Sequence, residues 1–215
     1  MLKNFIHFYK EVVNLGVVLD SHLTMQEHIM VLTKSCSFQL RQLVQVRRSL
    51  DKGTLECLVH AFVHSRLDYC NSLLYGVSNK SLSMLQSIQN RAARLVSGVT
   101  KFEHVTPIFR DLHWLPIDRR IRFKVALLMF KCINGRAPKY LIDKCLPKTS
   151  CSQLYQLRSN SLNFYIVPPT NLVIGSRSFG VFGPVVWNSL PGHLRQPGLS
   201  LALFKKQLKT HLFPY

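Results

Sequence analysis

The chain has 215 residues, 47% of them hydrophobic and 18% charged, and 28 Lys and Arg stand against 10 Asp and Glu for a formal charge of +18. That apolar fraction can bury a core, which excludes wholesale disorder and a histone-like tail, and the length suits one domain or one domain with a tail. A cationic surplus of this size repels itself and favours a polyanionic partner, of which a polyphosphate backbone is the commonest.

The surplus is sharpest at the end of the chain. No Asp or Glu follows Asp143, while Lys144, Lys148, Arg158, Arg177, Arg195, Lys205, Lys206 and Lys209 do. In chain order, Val12, Val13, Leu15, Val17, Val18 and Leu19 read as strand, and Gly16 interrupts them as a bulge or a close backbone approach. Asp20-Ser21-His22 supplies turn chemistry. Thr24 with Glu27 three residues on forms a capping box for a first helix, in which Ile29, Leu32, Cys36, Leu40, Leu43 and Val44 recur at helical spacing. Arg41, Arg47 and Arg48 crowd its end, where cations suit the dipole, and Asp51-Lys52-Gly53 breaks it.

A second helix is expected from about Thr54 to Leu74, with Leu55, Leu58, Val59, Phe62 and Val63 as its apolar face and Gly76 as its C-cap. Ser81 begins a third, with Leu82, Leu85, Ile88, Ala92 and Leu95 as a stripe, Gln86, Gln89, Asn90, Arg91 and Arg94 around the rest, and Gly98 as its end. Thr106-Pro107 opens a short helix, Trp114-Leu115-Pro116 breaks the chain, and Asp118 caps a helix that ends near Asn134-Gly135. Pro138 to Lys144 adds a turn or two. Beyond Pro147 the chain grows rich in glycine and proline, and Phe164–Val167 and Val185–Trp187 look like strands or extended packing segments. Ser200 caps a last amphipathic helix, with Leu203, Phe204, Leu208 and Leu212 on one side and Lys205, Lys206 and Lys209 on the other.

Six cysteines, at 36, 57, 70, 132, 145 and 151, lie mostly among apolar helical residues, as buried free thiols do. The opening Met1-Leu2-Lys3-Asn4 carries no secretory signal, and the apolar run Val125–Phe130 falls far short of the ~20 residues a bilayer span needs. The expectation is an intracellular protein, nuclear or cytoplasmic, with no membrane partner.

Reaction chemistry is poorly provided for. Cys57, His60 and His64 fall at i, i+3 and i+7, so one helix face can present zinc-type ligands, with Cys70 nearby in sequence. Structural zinc sites normally show two paired clusters, so a helix with its cysteine in the core and its histidines at the edge is the favoured reading. The chain has no G-x-S-x-G elbow and no Walker loop. Two-metal phosphoryl transfer needs clustered carboxylates, and here the ten acids stand singly, with no D-D and no D-x-D. No catalytic residue, metal site or cofactor is therefore expected. The densest basic patch is Arg119, Arg120, Arg122 and Lys124, followed by Arg91 and Arg94; forked guanidinium groups suit phosphates. Trp114 and Trp187 could stack bases, but their Leu, Pro and Val surroundings favour the core.

Several longer words carry a likeness. Ala61-Phe62-Val63-His64-Ser65-Arg66-Leu67-Asp68-Tyr69-Cys70-Asn71-Ser72-Leu73-Leu74-Tyr75-Gly76, then residues 85–95, then Leu112-His113-Trp114-Leu115-Pro116-Ile117, then Pro184-Val185-Val186-Trp187-Asn188-Ser189-Leu190-Pro191 and Phe204–Thr210, resemble in order the post-palm region of reverse transcriptases from LINE-type, non-LTR retrotransposons of the jockey kind. The likeness runs from about Val13 onward. It implies that Asn14–Asp20 is the last hairpin of the palm, with Leu15 and Gly16 in a primer-grip-like position, and that the helices after it form a thumb over a template–primer duplex. Arg91, Arg94, Arg119, Arg120, Arg122 and Lys124 would then contact the backbone of RNA, DNA or their hybrid. It also implies that the family's catalytic aspartates lie upstream of this chain, and that Met1 opens a frame inside a truncated element.

The expected fold is mainly α: a palm-edge hairpin remnant over residues 1–23, a helical thumb-like bundle over 24–146, and a partly extended Gly/Pro-rich segment over 147–215 ending in a helix. The expected function is that of a reverse-transcriptase fragment that binds nucleic acid non-specifically and does not polymerise alone. The alternatives are a stand-alone basic nucleic-acid-binding module and an inert relic.

Overall fold

A computed structural model of the chain describes residues 10–148 and 163–213. Among them the fold is mainly helical, with one two-stranded sheet. The chain divides into two compact units, one taking residues up to Cys70 and Val77–Ile117, the other Asn71–Gly76 and the described residues from Asp118 on.

The first unit opens on an antiparallel hairpin of β1 (Glu11–Asn14) and β2 (Val17–Asp20), paired Glu11 to Asp20 through Asn14 to Val17. The interruption expected at Gly16 is therefore the turn itself. Leu15 and Gly16 both take positive φ, 47° and 79°, the geometry that suits the right-handed twist of a two-residue hairpin. Tyr69 Oη donates to Leu15 O at 2.7 Å and ties the turn down.

Asp20 then organises the entry to α1 (Gln26–Val46). Its carboxylate accepts from the His22, Thr24 and Met25 N–H groups and from the Thr24 hydroxyl, at 2.7–3.1 Å. The capping box expected from Thr24 and Glu27 does not form: Met25, at φ 64°, precedes the helix with no side-chain cap, and Thr24 Oγ1 accepts only from Gln26 N at 3.3 Å. Asp20 already holds the Thr24 N–H that the Glu27 carboxylate would accept in a capping box. His28, one turn into α1, accepts from Val18 N–H at 3.4 Å through Nδ1 and so joins the hairpin to the helix.

Asp51, expected as a breaker, is the N-cap of α2 (Lys52–Val59), accepting from Thr54 N at 2.9 Å. The long helix expected to Leu74 is broken into pieces. A π-turn at His60–His64 follows α2, then α3 (Ser65–Asp68), then a 3₁₀ turn at Asn71–Leu74 beyond Cys70 at φ 50°. The extra residue of the π-turn re-aims the face, leaving Phe62 42% exposed while His64 is buried.

Next comes α4 (Asn79–Ser97), capped by Ser78 rather than Ser81; Ser81 is buried and donates its N–H to Ser78 Oγ. Gly98 ends it in the left-handed conformation at φ 75°, as expected. Helix α5 (Val105–Asp111) starts two residues before the expected Pro107 position. Gln89, placed outside the apolar stripe, has 0% exposure; its Nε2 donates to Leu115 O at 2.9 Å, and Gln86 Oε1 accepts from Ile117 N. These two amides clasp the Trp114–Ile117 break and satisfy its backbone groups in place of a helix. Trp114 is 3% exposed and packs edge-on against His60 and His64.

The second unit contains most of α6 (Ile117–Ile133), with α7 (Lys139–Ile142), α8 (Val173–Ser176), α9 (Phe179–Asn188) and α10 (Leu201–Leu212). Asp118 lies inside the first turn of α6 rather than capping it. The segment Val185–Trp187, expected as extended, lies in α9 with Val181, Phe182, Val186 and Trp187 buried; a short run that is apolar all round gives no period from which to choose. Gly183 permits the approach of Met129 Sδ, which a Cβ would meet at 2.8 Å. Tyr165 is extended, bridging Pro147 and bonded to the Asn188 amide through both N–H and C=O. Ser200 caps α10 as expected, and Phe204, at 0% exposure, stacks on Phe130 with ring centroids 4.3 Å apart.

Phe204→Ala is expected to cost about 3–5 kcal/mol in equilibrium denaturation, as large-to-small changes in a packed core do. The hairpin gives a pH test. Burial alone would raise the Asp20 carboxyl, but the hydrogen bonds from Thr24, Met25 and His22 outweigh it and hold it below its ordinary value; burial likewise lowers His28. Both groups bind protons more readily unfolded, so their stabilisation is present above the unfolded values and lost on acidification. For His28 that loss begins below about pH 6.5, and for Asp20 below about pH 4. Asp20→Ala, measured by urea denaturation at pH 7 and pH 3, should lose about 1 kcal/mol at pH 7 and less at pH 3.

Candidate nucleic-acid interface

Helices α1 and α4 pack together in the first unit. Ala92, Ala93 and Cys36 have 0% exposure, and these small side chains allow close approach. Arg91 Nη1 donates to Ser37 Oγ at 3.2 Å, and ten residues further on, just past the end of α1, the Arg47 guanidinium lies directly over Gly98. The helices therefore run in the same direction, and their C-terminal ends lie side by side.

Between those ends is an open cleft of about 720 Å³. Arg47, Arg48, Arg91, Arg94 and Lys101 stand around it, with Leu40, Val44, Leu95 and Val99 beneath. A second cleft of about 320 Å³ shares Arg47 and Arg48 and adds Lys52. No acid lines either one. Arg94 is pinned by donating to Glu103 O at 3.1 Å, and the Glu103 carboxylate is itself engaged by the Thr100 N–H and hydroxyl. Each helix C-terminus carries roughly −0.5 of an elementary charge. Two ends and one carboxylate give about −2 against five cations, so the cleft keeps a surplus near +3 and attracts anions.

The expected residues are brought together only in part. Arg91 and Arg94 line the cleft; Arg47, Arg48, Lys52 and Lys101 join them without having been singled out for this role. Arg119 and Lys124 project from α6 as exposed side chains in the second unit. Arg120 and Arg122 are half-buried, and Arg122 Nε is paired with Asp118 at 3.1 Å. Leu15 is 83% exposed at the hairpin turn, with Gly16 beside it.

The Cys57, His60 and His64 trio is reorganised by the π-turn. Cys57 is exposed and His64 is 2% exposed, the reverse of the expected placement. His60 and His64 meet Nδ1 to Nδ1 at 3.0 Å, and Glu56 lies 3.7 Å from His60. Among the described residues, no three His, Cys, Asp or Glu side chains gather as metal ligands would. Trp114 and Trp187 are each 3% exposed and serve the core. Burial pushes the Cys36 thiol up to about 11 and the Cys145 thiol up to about 12, so neither is a thiolate near neutral pH. Among the described residues, no helix is long and apolar enough to cross a membrane.

Over 110 residues the chain is 26% identical to the "Probable RNA-directed DNA polymerase from transposon BS" of Drosophila melanogaster. The matched stretch is 50% of this chain and 12% of that protein, so the chain spans a small part of its relative's length. No protein-family model matches the chain, and no solved structure does.

The geometry at Gly98 is testable. Gly98→Ala puts a Cβ at positive φ and against the Arg47 guanidinium. It is expected to cost about 1–2 kcal/mol from the backbone conformation alone. Thermal or urea denaturation of the Gly98→Ala, Arg47→Ala double variant should recover the steric part of the loss and leave the backbone part.

Proposed function

We propose that this chain is a reverse-transcriptase-derived module, corresponding to the region after the palm in a LINE-type, jockey-like element, that holds nucleic acid by its backbone and does not extend it. The observation that carries the reading is the surplus of cations around the α1–α4 cleft in a chain similar to part of a transposon RNA-directed DNA polymerase. Arg47, Arg48, Arg91, Arg94 and Lys101 would bear on phosphates there, and Arg119, Arg120, Arg122 and Lys124 on α6 would bear on others. The hairpin turn at Leu15 and Gly16 would meet a primer end. The domain division at about residues 23 and 146 is part of the same proposal.

Arg91 spends one of its five donors on Ser37 Oγ, and Arg94 spends one on Glu103 O and has its Nε buried; the remaining donors are those that would meet phosphate oxygens. Nothing in that geometry reads a base edge, so affinity should depend on salt and hardly on sequence. The sequence offers no paired carboxylates for two metal ions, which is why the reading stops at binding.

Fluorescence anisotropy with labelled oligonucleotides across a salt series tests this. Affinity should fall linearly in log–log form as salt rises. Arg48→Gln and Arg91→Gln should each weaken binding to every sequence alike and reduce the slope by about 1. Binding that ignores salt, or variants that leave the slope intact, would refute the assignment. Primer extension by the chain alone, with Mg²⁺ and all four deoxynucleotides, should give no product.

A further inference from the structure

The α1–α4 cleft is more than a patch of charge. Phosphate contact alone needs cations, and a paired duplex keeps its bases stacked inside. Here the cations stand over an apolar floor of Leu40, Val44, Leu95 and Val99, and Val44 is 58% exposed within it. At about 720 Å³ the cleft falls in the range of ~300–1,000 Å³ typical of pockets that take organic ligands. A second observation stands at its edge. Phe102 follows the lining residue Lys101 and is 84% exposed, with the Lys101 ammonium 4.9 Å from its ring centroid. An aromatic ring left this open contributes little to the core, but every nucleobase has a face that can stack on it.

From these features we infer that the cleft is a single-strand site: it seats an unpaired nucleotide on the apolar floor, stacks the neighbouring base on Phe102, and holds the phosphates between with Arg47, Arg48, Arg91 and Lys101. The inference rests on the proposed function, because it specifies which form of nucleic acid the cationic cleft takes. The ligand is one strand of DNA or RNA with unstacked bases. Duplex would engage the rim alone, since its bases cannot reach the floor. Base preference is weak, because stacking and apolar contact tolerate any base.

The test uses the full 215-residue chain and two labelled probes, oligothymidylate and a blunt duplex of equal length, read by anisotropy at low and moderate salt. The single strand should bind at least about tenfold more tightly than the duplex. Phe102→Ala should weaken single-strand binding by about tenfold and leave duplex binding and the circular dichroism spectrum unchanged. Val44→Asn, which keeps a small side chain but wets the floor, should act in the same sense. Equal affinity for the two probes with no response to Phe102→Ala, while salt still weakens both, overturns the single-strand site and leaves the proposed function standing. No binding of either probe at low salt sinks both. Inorganic polyphosphate that competes as well as oligothymidylate, phosphate for phosphate, would also overturn the inference, because it has no base to seat.

Discussion

Two helices ending side by side create an electrostatic problem that shapes the first unit. At the ends of α1 and α4 the terminal carbonyls point the same way and their partial charges repel. The chain answers with Arg47 laid over Gly98, where the absence of a side chain leaves room for the guanidinium. Gly98 has a second reason to be glycine, since its φ of 75° closes the helix by returning its N–H to Arg94 O. Cations are thus structural here before they are functional. What makes the site more than a neutralised helix end is the count: five cations surround a deficit that two or three would offset.

The opposite face of α4 explains why those cations project where they do. Gln89 is buried and holds Leu115 O, while Gln86 holds Ile117 N. Arg91 lies two residues on from Gln89, about 200° around the helix, and so emerges on the far side. A buried amide with its partners in place fixes helix rotation more sharply than apolar contact does, because a small rotation would leave it unsatisfied. The direction of the arginines is therefore set from within the unit, by a clasp on the chain break at Trp114.

Much of this fold is legible in the sequence where local chemistry decides. Ser200 caps α10, Gly98 ends α4, and the periodic faces of α1 and α4 fall where spacing places them except at Val44, which is 58% exposed. The misses come from interactions that a short periodic pattern does not show. The Thr24–Glu27 box gives way to Asp20, four residues earlier, whose carboxylate takes the Thr24 N–H. Gln89 looks like surface because its acceptor is 26 residues away. The π-turn at His60–His64 leaves no mark in a pattern read at 3.6 residues per turn, yet Phe62 is left exposed and His64 buried within it. In the candidate site, Arg91 and Arg94 stand out as cations on one helix. Arg47 and Arg48 meet them only through the parallel packing of α1 on α4, which no local pattern encodes.

The uneven use of charge bears on what such a protein can do. Several acids are committed to local structure. Asp20 gathers the turn before α1, Asp51 caps α2, Glu103 closes the loop after α4, and Asp118 pairs with Arg122. The Asp51 carboxyl is held below its ordinary value by the Thr54 hydroxyl and N–H, so it stays an acceptor at neutral pH. Each of these four acids is fixed to its own segment of backbone. The cations divide differently. Some close helix ends, and the surplus lines clefts or, like Lys205, Lys206 and Lys209 on α10, faces solvent. Carboxylates spread singly through local structure and guanidinium groups gathered around one cleft leave that cleft with a positive potential.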